Sequence, residues 1–492
     1  MKLASTARST PDAVALVHGD REVTFADLDR EASAVAAGLA GLGVEAGDRV
    51  ALWFPNHPAF ASGLYGSWRA RAAVVPMHSE LTVPEARHVL ADAGARVVIC
   101  GPSQYAKMPE VRGSASAVEH VVVCDASPAG GDLSFDAFLG GDGGPVEAGE
   151  DDLALVAYTS GTSGLAKGAM LTHGNLQANV DQMRQTPIAT VPDDVALGIL
   201  PLFHIYGLNV LLNLCVQVGA KIVLSERFDP RGSIDLIRTH GVTRIAGAPP
   251  AYVAWLALAD ATASDFASIR VAVSGAAPLS KEALDGFRER FGVTIWEGYG
   301  LTETSPALTT MAMSQEPKAG SIGRPLPGVE LRLVDEDGDD VEPGDPGEII
   351  VRGPNVFPGY WQDPAATAEV IRDGWFHTGD VAVADDDDDL FIVDRMRDMV
   401  LVSGFNVYPR EVETLLMTHP GVTDCAVVGD PDPDTGERVH AYVVARGSVS
   451  AGVLVEHCRE NLAPYKVPSN VEIVDSIPRN AAGKVLRRAF RA

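Results

Sequence analysis

Lysine is scarce in this chain, with eight among 492 residues, and acidic side chains outnumber basic ones so far that the formal net charge is −27. That balance excludes a broad basic surface able to neutralise nucleic-acid phosphates, so no nucleic-acid partner is expected. A salt-adapted host and a GC-rich genome both account for few lysines, and neither bears on chemistry. Cysteine is also sparse: Cys100, Cys124, Cys215, Cys425 and Cys458 are odd in number and scattered. This excludes a disulfide framework and a metal knuckle, and points to reduced thiols in a cytoplasmic protein. The opening Met1-Lys-Leu-Ala-Ser-Thr has no apolar run of a secretory signal, and the closing Phe490-Arg-Ala492 is no peroxisomal address. Long hydrophobic stretches are lacking but for residues 195–220, which carry no charge and are long enough to span a bilayer. Pro201, His204, Asn209, Asn213 and Gln217 interrupt that stretch, while Gly198 and Gly207 divide it into a strand, a turn and a buried helix. No transmembrane segment is expected.

What the chain does have is an alternation of helix and strand signals. Thr24-Phe-Ala-Asp27 caps a helix running to about Gly41, Val50–Phe54 reads as a strand, Thr82-Val-Pro-Glu85 as a capping box, and Arg96–Cys100 as a further strand. Residues 127–152, rich in Gly and Asp, read as a solvent loop, and strands follow near Val195, Ile222, Arg244 and Val271. From about 320 to 394 the signal becomes short alternating runs such as Glu330–Val334 and Glu348–Val351 split by Pro-Gly pairs, a small antiparallel barrel. Five adjacent aspartates, Asp385–Asp389, have no alternating ligand spacing and fit a solvated hairpin turn better than a calcium loop. The fold class is α/β: two doubly wound sheets plus a small β-barrel in a large amino-terminal region, then a small α+β carboxyl-terminal domain. The expected boundaries are 1–395, a hinge at 396–398, and 399–492.

The densest signal is Tyr158-Thr-Ser-Gly-Thr-Ser-Gly-Leu-Ala-Lys167-Gly168. Its glycines, Gly161 and Gly164 among them, let successive N–H groups face one anion; Thr159, Ser160, Thr162 and Ser163 add donors and Lys167 a charge. Leu153–Ala157 before it reads as a buried strand, so the loop hangs off the end of a sheet. A Walker A loop has Gly before its Lys and Ser or Thr after it for magnesium; here Ala166 and Gly168 stand there, so magnesium must be held elsewhere.

Further phrases follow in order: Pro201-Leu-Phe-His204, Ser274-Gly-Ala-Ala-Pro278, Glu297-Gly-Tyr-Gly-Leu-Thr-Glu303, Trp375-Phe-His-Thr-Gly-Asp380, Asp394-Arg-Met-Arg-Asp398, Ser403-Gly-Phe-Asn-Val-Tyr-Pro409 and Pro478-Arg-Asn-Ala-Ala-Gly-Lys484. With the 158–168 loop, nearly the whole chain resembles the adenylate-forming superfamily of acyl-CoA synthetases, luciferases and peptide-synthetase adenylation domains, and most of all bacterial fatty-acyl-CoA ligases. The resemblance implies Mg²⁺, ATP and CoA, with the loop Thr159–Lys167 on the β- and γ-phosphates. It also implies that Glu303 holds the metal with Thr302 beside it, and that Gly275, Ala276, Ala277, Gly298, Tyr299 and Gly300 form the adenine site. Asp380 and Arg395 would bind ribose. Lys484 would bridge the attacking carboxylate and the α-phosphate, since a carboxylate becomes a good acyl donor only once AMP is its leaving group. The family rotates its small, mobile carboxyl-terminal domain about the hinge, here Arg397 in place of the usual Lys or Asp, and Ser403 and Gly404 fall where CoA arrives. Ser403 stands where plant and luciferase relatives carry Lys.

By the same resemblance the acyl pocket surrounds His204, Tyr206, Gly207, Leu208, Ala248 and Gly298. His204 either orients or gates substrate, or is a satisfied core residue. These phrases contain no arginine for a second carboxylate, so a monocarboxylic acid with an apolar tail is expected, a medium- or long-chain fatty acid first and an aryl or cinnamoyl-like acid second. An acyl-AMP ligase loading a carrier protein shares every adenylation residue; a luciferase-like oxygenase shares the fold without any sign of oxygen chemistry. A non-catalytic relative is expected to lose Lys484 or Glu303, and both are present. Monomer and homodimer both stay open.

Overall fold

A computed structural model describes residues 2–112, 117–140, 148–159, 166–395, 398–402, 405–432, 435–462, 464–479 and 485–490, with the backbone alone at 394, 395, 405, 406, 436 and 488. The chain divides into two compact units, one of residues 1–319, 323–330 and 352–374, the other of 320–322, 331–351 and 375–492.

The first unit holds two sheets built mainly from parallel strands. In one, Arg49–Trp53 lies between Ala73–Met77 and Val97–Cys100, and His120–Val123 continues the parallel array. These strands are apolar on both faces because helices cover both, as a parallel sheet requires. Leu153–Thr159 joins this sheet parallel to Ala73–Met77. The helix Phe25–Gly41 starts where expected: Thr24 and Asp27 exchange capping hydrogen bonds of 3.1 and 3.3 Å. At the helix Val83–Ala93 the Thr82 N–H donates to Glu85 at 2.8 Å.

The other sheet runs Ile295–Gly300, Val271–Ser274, Arg244–Gly247, Val195–Gly198, Lys221–Leu224 and Val14–His18, all parallel, so the four strands expected near Val195, Ile222, Arg244 and Val271 are there. Its core is aromatic, with Trp255, Tyr252, Phe266, Phe287 and Phe291 meeting mostly edge to face. Residues 195–220 resolve into the strand Val195–Gly198, a turn, a π-helical segment Tyr206–Asn213 and the helix Leu214–Val218. Among the described residues no helix is long and apolar enough to cross a membrane. The five thiols are buried and unpaired, and burial raises those of Cys100 and Cys215 to about 12.

One stretch differs from the reading as a plain solvent loop. Within 127–152 the chain forms a short strand, Leu133–Ser134, beside His120–Val123, and a helical turn, Phe135–Phe138. Phe138 is buried over Gly38, where a Cβ would stand 2.3 Å from the Phe138 carbonyl oxygen. One aromatic side chain fitted to one glycine overrides a polar composition that otherwise signals loop.

In the second unit, Gly347–Arg352, Trp375–Ala384 and Leu390–Arg395 pair antiparallel over the stretch read as barrel-like. The aspartate run turns the last hairpin, the Asp385 carboxylate accepting from the Asp387 and Asp389 amides at 3.0 Å each. A five-stranded sheet of Val400–Val402, Phe405–Val407, Val422–Asp432, Gly436–Ala445 and Asn470–Ile473 carries the helices Pro409–Met417 and Ala451–Asn461 over its own apolar core.

His173, at the start of the helix His173–Met183, is buried edge-on to Trp68. Desolvation lowers its pKa to about 4, against the opposing pull of Asp152. An unfolded histidine titrates near 6.5, so the unfolded chain takes up this proton first and stability falls as pH drops from about 6.5 towards 4. Thermal midpoints measured across that window should show a shallower acid loss in His173→Gln than in the native chain.

Candidate active site

The glycine- and hydroxyl-rich loop joins two antiparallel strands, Leu153–Thr159 and Lys167–Thr172, with Thr159 opposite Lys167 and Tyr158 opposite Gly168. Ser160, Gly161, Thr162, Ser163 and Gly164 lie outside the described residues. The loop's two ends are held from one side by the helix Val83–Ala93: His88 Nε2 is 3.1 Å from the Ala166 carbonyl, and the Tyr158 hydroxyl donates to Asp92. Lys167 enters a strand rather than a helix, so no helix N-terminus follows it as one follows a Walker lysine.

A two-residue strand, Gly359–Tyr360, pairs with Lys167–Thr172 on its outer edge, and the Trp361 amide donates to the Gly168 carbonyl at 2.7 Å. Tyr360 thereby stands between two expected phosphate-site residues. Lys167 Nζ lies 5.5 Å from its ring centroid, and its hydroxyl donates to Glu303 Oε1 at 2.8 Å. Lys167 also makes a loose ion pair of 3.8 Å with Asp363. Glu303 is buried in the short turn Thr302–Thr304, where its carbonyl accepts the Phe357 amide at 2.8 Å. Among the described residues no group of three or more His, Cys, Asp or Glu is arranged to hold a metal. Magnesium bound with a nucleotide takes one or two protein carboxylates and fills its shell with phosphate oxygens and water, so Glu303, steadied by a phenol, fits that donor set. Sequence reasoning missed Tyr360 and Asp363.

The expected adenine residues come together at the ends of adjacent parallel strands. Ser274 pairs with Glu297, so Gly275 and Gly298 follow side by side; a Cβ on Gly275 would meet the Gly298 carbonyl at 3.4 Å and the Tyr206 ring at 3.2 Å. Ala276 holds a left-handed backbone at φ 71°, and Ala277 follows it, half-buried. Tyr299 is half-buried opposite Thr309, and Gly300 could not carry a Cβ, which would fall 1.9 Å from the Pro306 carbonyl.

Tyr206 links this turn to the π-helical segment Tyr206–Asn213. Its buried ring lies against Gly275, and burial holds its phenol protonated well above the usual range. Gly207 and Leu208 continue the π-helical turn, a geometry often found at functional positions. Ala248 precedes the helix Pro249–Ala257 beyond the strand Arg244–Gly247. His204, in the turn just before the π-helical segment, is exposed. Its Nδ1 accepts the Tyr206 amide at 3.2 Å, which leaves the ring neutral with its proton on Nε2. Desolvation, and then His78, lower its pKa to about 4.

The remaining expected residues belong to the second unit. Asp380 is buried on Trp375–Ala384, its amide donating to Thr378 Oγ1 at 3.1 Å, and Arg395 is its cross-strand partner. Arg397, Ser403, Gly404 and Lys484 lie outside the described residues, while Arg479 and Val485 bridge on either side of 480–484.

Residues 3–361 match the model of the AMP-binding enzyme family and 411–484 that of the AMP-binding enzyme C-terminal domain. The chain belongs to the AMP-binding enzyme family. It is an AMP-forming acid–CoA ligase working through an acyl adenylate. It is 40% identical over 493 residues to a feruloyl-CoA synthase of Amycolatopsis, covering 99% of this chain and 96% of that one. A long-chain-fatty-acid–CoA ligase of Escherichia coli is 38% identical over 515 residues, covering 98% and 91%. Among solved structures, ATP-bound MatB from Rhodopseudomonas palustris superposes with a TM-score of 0.91 at 32% identity over 100% of this chain and 98% of that one. A complex of the anthranilate CoA ligase AuaEII with anthranoyl-AMP gives 0.90 at 29%, covering 99% and 95%.

Tyr360→Phe keeps the ring beside Lys167 and removes only the hydroxyl on Glu303. In this ligase it should slow acid-dependent ATP–pyrophosphate exchange by roughly tenfold, the cost of one charge-assisted hydrogen bond, and raise the magnesium needed for half-maximal rate.

Proposed function

We propose that this ligase activates a monocarboxylic acid with an apolar tail, a medium- or long-chain fatty acid first, and passes it to CoA with release of AMP and pyrophosphate. The supporting observation is the make-up of the acyl side. Tyr206, Gly207, Ala248, Gly275 and Gly298 present an aromatic ring and small residues, and the buried Glu297 turns its carboxylate to the Leu279 amide at 3.0 Å. The buried Arg244, on the strand that ends at Gly247, donates to the Ile188 carbonyl at 2.8 Å, away from a second carboxylate. An aryl acid is the second reading, favoured by the Tyr206 ring held beside Gly275.

In this reading the loop 159–167 and Lys167 hold the β- and γ-phosphates, and Glu303 with Thr302 holds the metal, which supplies neutralising charge on the phosphates. Gly275, Ala276, Ala277, Gly298, Tyr299 and Gly300 receive adenine, and Asp380 and Arg395 the ribose. Lys484 draws the carboxylate onto the α-phosphorus; the P–O bond to pyrophosphate breaks as the acyl–phosphate bond forms. A CoA thiol, entering past Ser403 and Gly404 after rotation about Arg397, then attacks the acyl carbon and expels AMP. Neutral His204 presents Nε2–H towards the acyl group.

Mass spectrometry with Mg²⁺-ATP, CoA and acids from acetate to palmitate, plus benzoate, cinnamate and malonate, tests the substrate class. Acyl-CoA from the apolar acids and none from malonate is expected; turnover confined to malonate contradicts the pocket reading, and acyl-AMP without acyl-CoA shifts the acceptor to a carrier protein. Lys484→Ala should lose about 10²–10³ in adenylation while still converting synthetic acyl-AMP and CoA to the thioester.

A further inference from the structure

We infer that Asn56, which touches neither nucleotide nor acid in the reading above, is a positioning residue that sets the acyl-side wall carrying His204. Asn56 follows the strand Arg49–Trp53 of one sheet and precedes the helix Pro58–Arg69, and it is only 3% exposed. Its side chain reaches across to the other sheet. Nδ2 donates to the carbonyls of Gly198 at 3.1 Å, Leu200 at 2.9 Å and Ser225 at 3.1 Å, and Oδ1 accepts the Leu202 amide at 2.8 Å. One amide therefore satisfies the backbone on both sides of Pro201, in a loop where neither strand nor helix supplies partners.

That loop transmits position to the pocket in two ways. The His204 amide donates to the Pro201 carbonyl at 3.1 Å, and the His204 ring in turn caps the Tyr206 amide. Gly207 packs so closely on the same carbonyl that a Cβ there would lie 2.2 Å from it. A shift at Pro201 must then carry His204 and the Tyr206–Gly207 turn with it, because close-packed backbone transmits displacement rather than absorbing it. The base of Asn56 is fixed from the opposite direction: the neighbouring His57 caps its helix by accepting the Ala59 amide on Nδ1 at 3.1 Å. The inference rests on the reading that His204 faces the acyl tail.

Asn56→Asp keeps the size and replaces two donors with a carboxylate facing three carbonyl oxygens; Asn56→Ala removes the amide without adding charge and carries the test should the aspartate variant not fold. In ATP–pyrophosphate exchange, each should raise KM for the acid by about tenfold or more and alter the ranking of acids by tail length, with KM for ATP within about twofold, because small misplacements of a positioning group are costly at the site it serves. In a His204→Ala background, adding Asn56→Ala should change acid preference less than it does in the native chain, because only the packing of Gly207 on the Pro201 carbonyl is left to pass the shift on. Equal loss towards acid and ATP with a lowered thermal midpoint, or additive effects in the double variant, would overturn the inference. Should His204→Ala alone leave acid KM and preference untouched, the reading of His204 fails, and the coupling through it falls too. If His204→Ala shifts acid preference and the Asn56 variants do not, only the role of Asn56 fails.

Discussion

Two anions have to meet before an acid can be joined to AMP, and the amino-terminal unit holds one strand pair whose ends frame the glycine- and hydroxyl-rich loop. Leu153–Thr159 and Lys167–Thr172 lock Thr159 opposite Lys167, fixing both ends of the loop that joins them. The third strand in the ladder, Gly359–Tyr360, brings a phenol between Lys167 and Glu303. A lysine and a buried carboxylate are thus registered to each other through the strand ladder and one phenol, the kind of preorganisation that electrostatic catalysis needs.

The π-helical segment Tyr206–Asn213 is built in by a different means. Buried amides stitch its irregular backbone: Asn209 donates to the Ser305 carbonyl at 2.6 Å and Asn213 to Asn209 at 2.8 Å, while Tyr65 donates to Asn213 at 2.9 Å. Asn179 and Asn355 both bond to the Ala307 carbonyl, and Asn355 also to that of Thr304. An unsatisfied carbonyl at these depths would cost more than each bond gains, so these amides fix the turn that carries Glu303 and the π-helical segment beside it as one packed body. The neutral His204 belongs to the same economy of charge, since an imidazolium there would meet desolvation and His78 together.

Much of this was legible in the sequence. The capping boxes at Thr24 and Thr82, the strands from Val195 to Val271, and the division of 195–220 all follow from local periodicity and stop signals, which tertiary packing did not override. The loop at 158–168 stands out by its chemistry, because few folds place so many hydroxyls and glycines beside one lysine, whereas the small-residue turns at 275 and 298 were singled out by the family resemblance. Tyr360 was not legible: its strand is two residues long, with no periodicity, and its meaning comes from partners nearly two hundred positions upstream in one case. Asn56 and Phe138 escaped for the same reason, each defined by a distant backbone atom rather than by neighbours in sequence. How the acyl tail is measured depends on side-chain packing, which composition does not encode.

The central claim is that the acid passes through an acyl adenylate held by this site, and oxygen transfer tests it most directly. An acid labelled with ¹⁸O in its carboxylate is converted with Mg²⁺-ATP and CoA, and the products are weighed. The account predicts one labelled oxygen in AMP and none in pyrophosphate, since the attacking carboxylate oxygen stays on the α-phosphorus when the thiol expels AMP. Label in inorganic phosphate, with ADP as the nucleotide product, would mean attack at the γ-phosphorus and would contradict it.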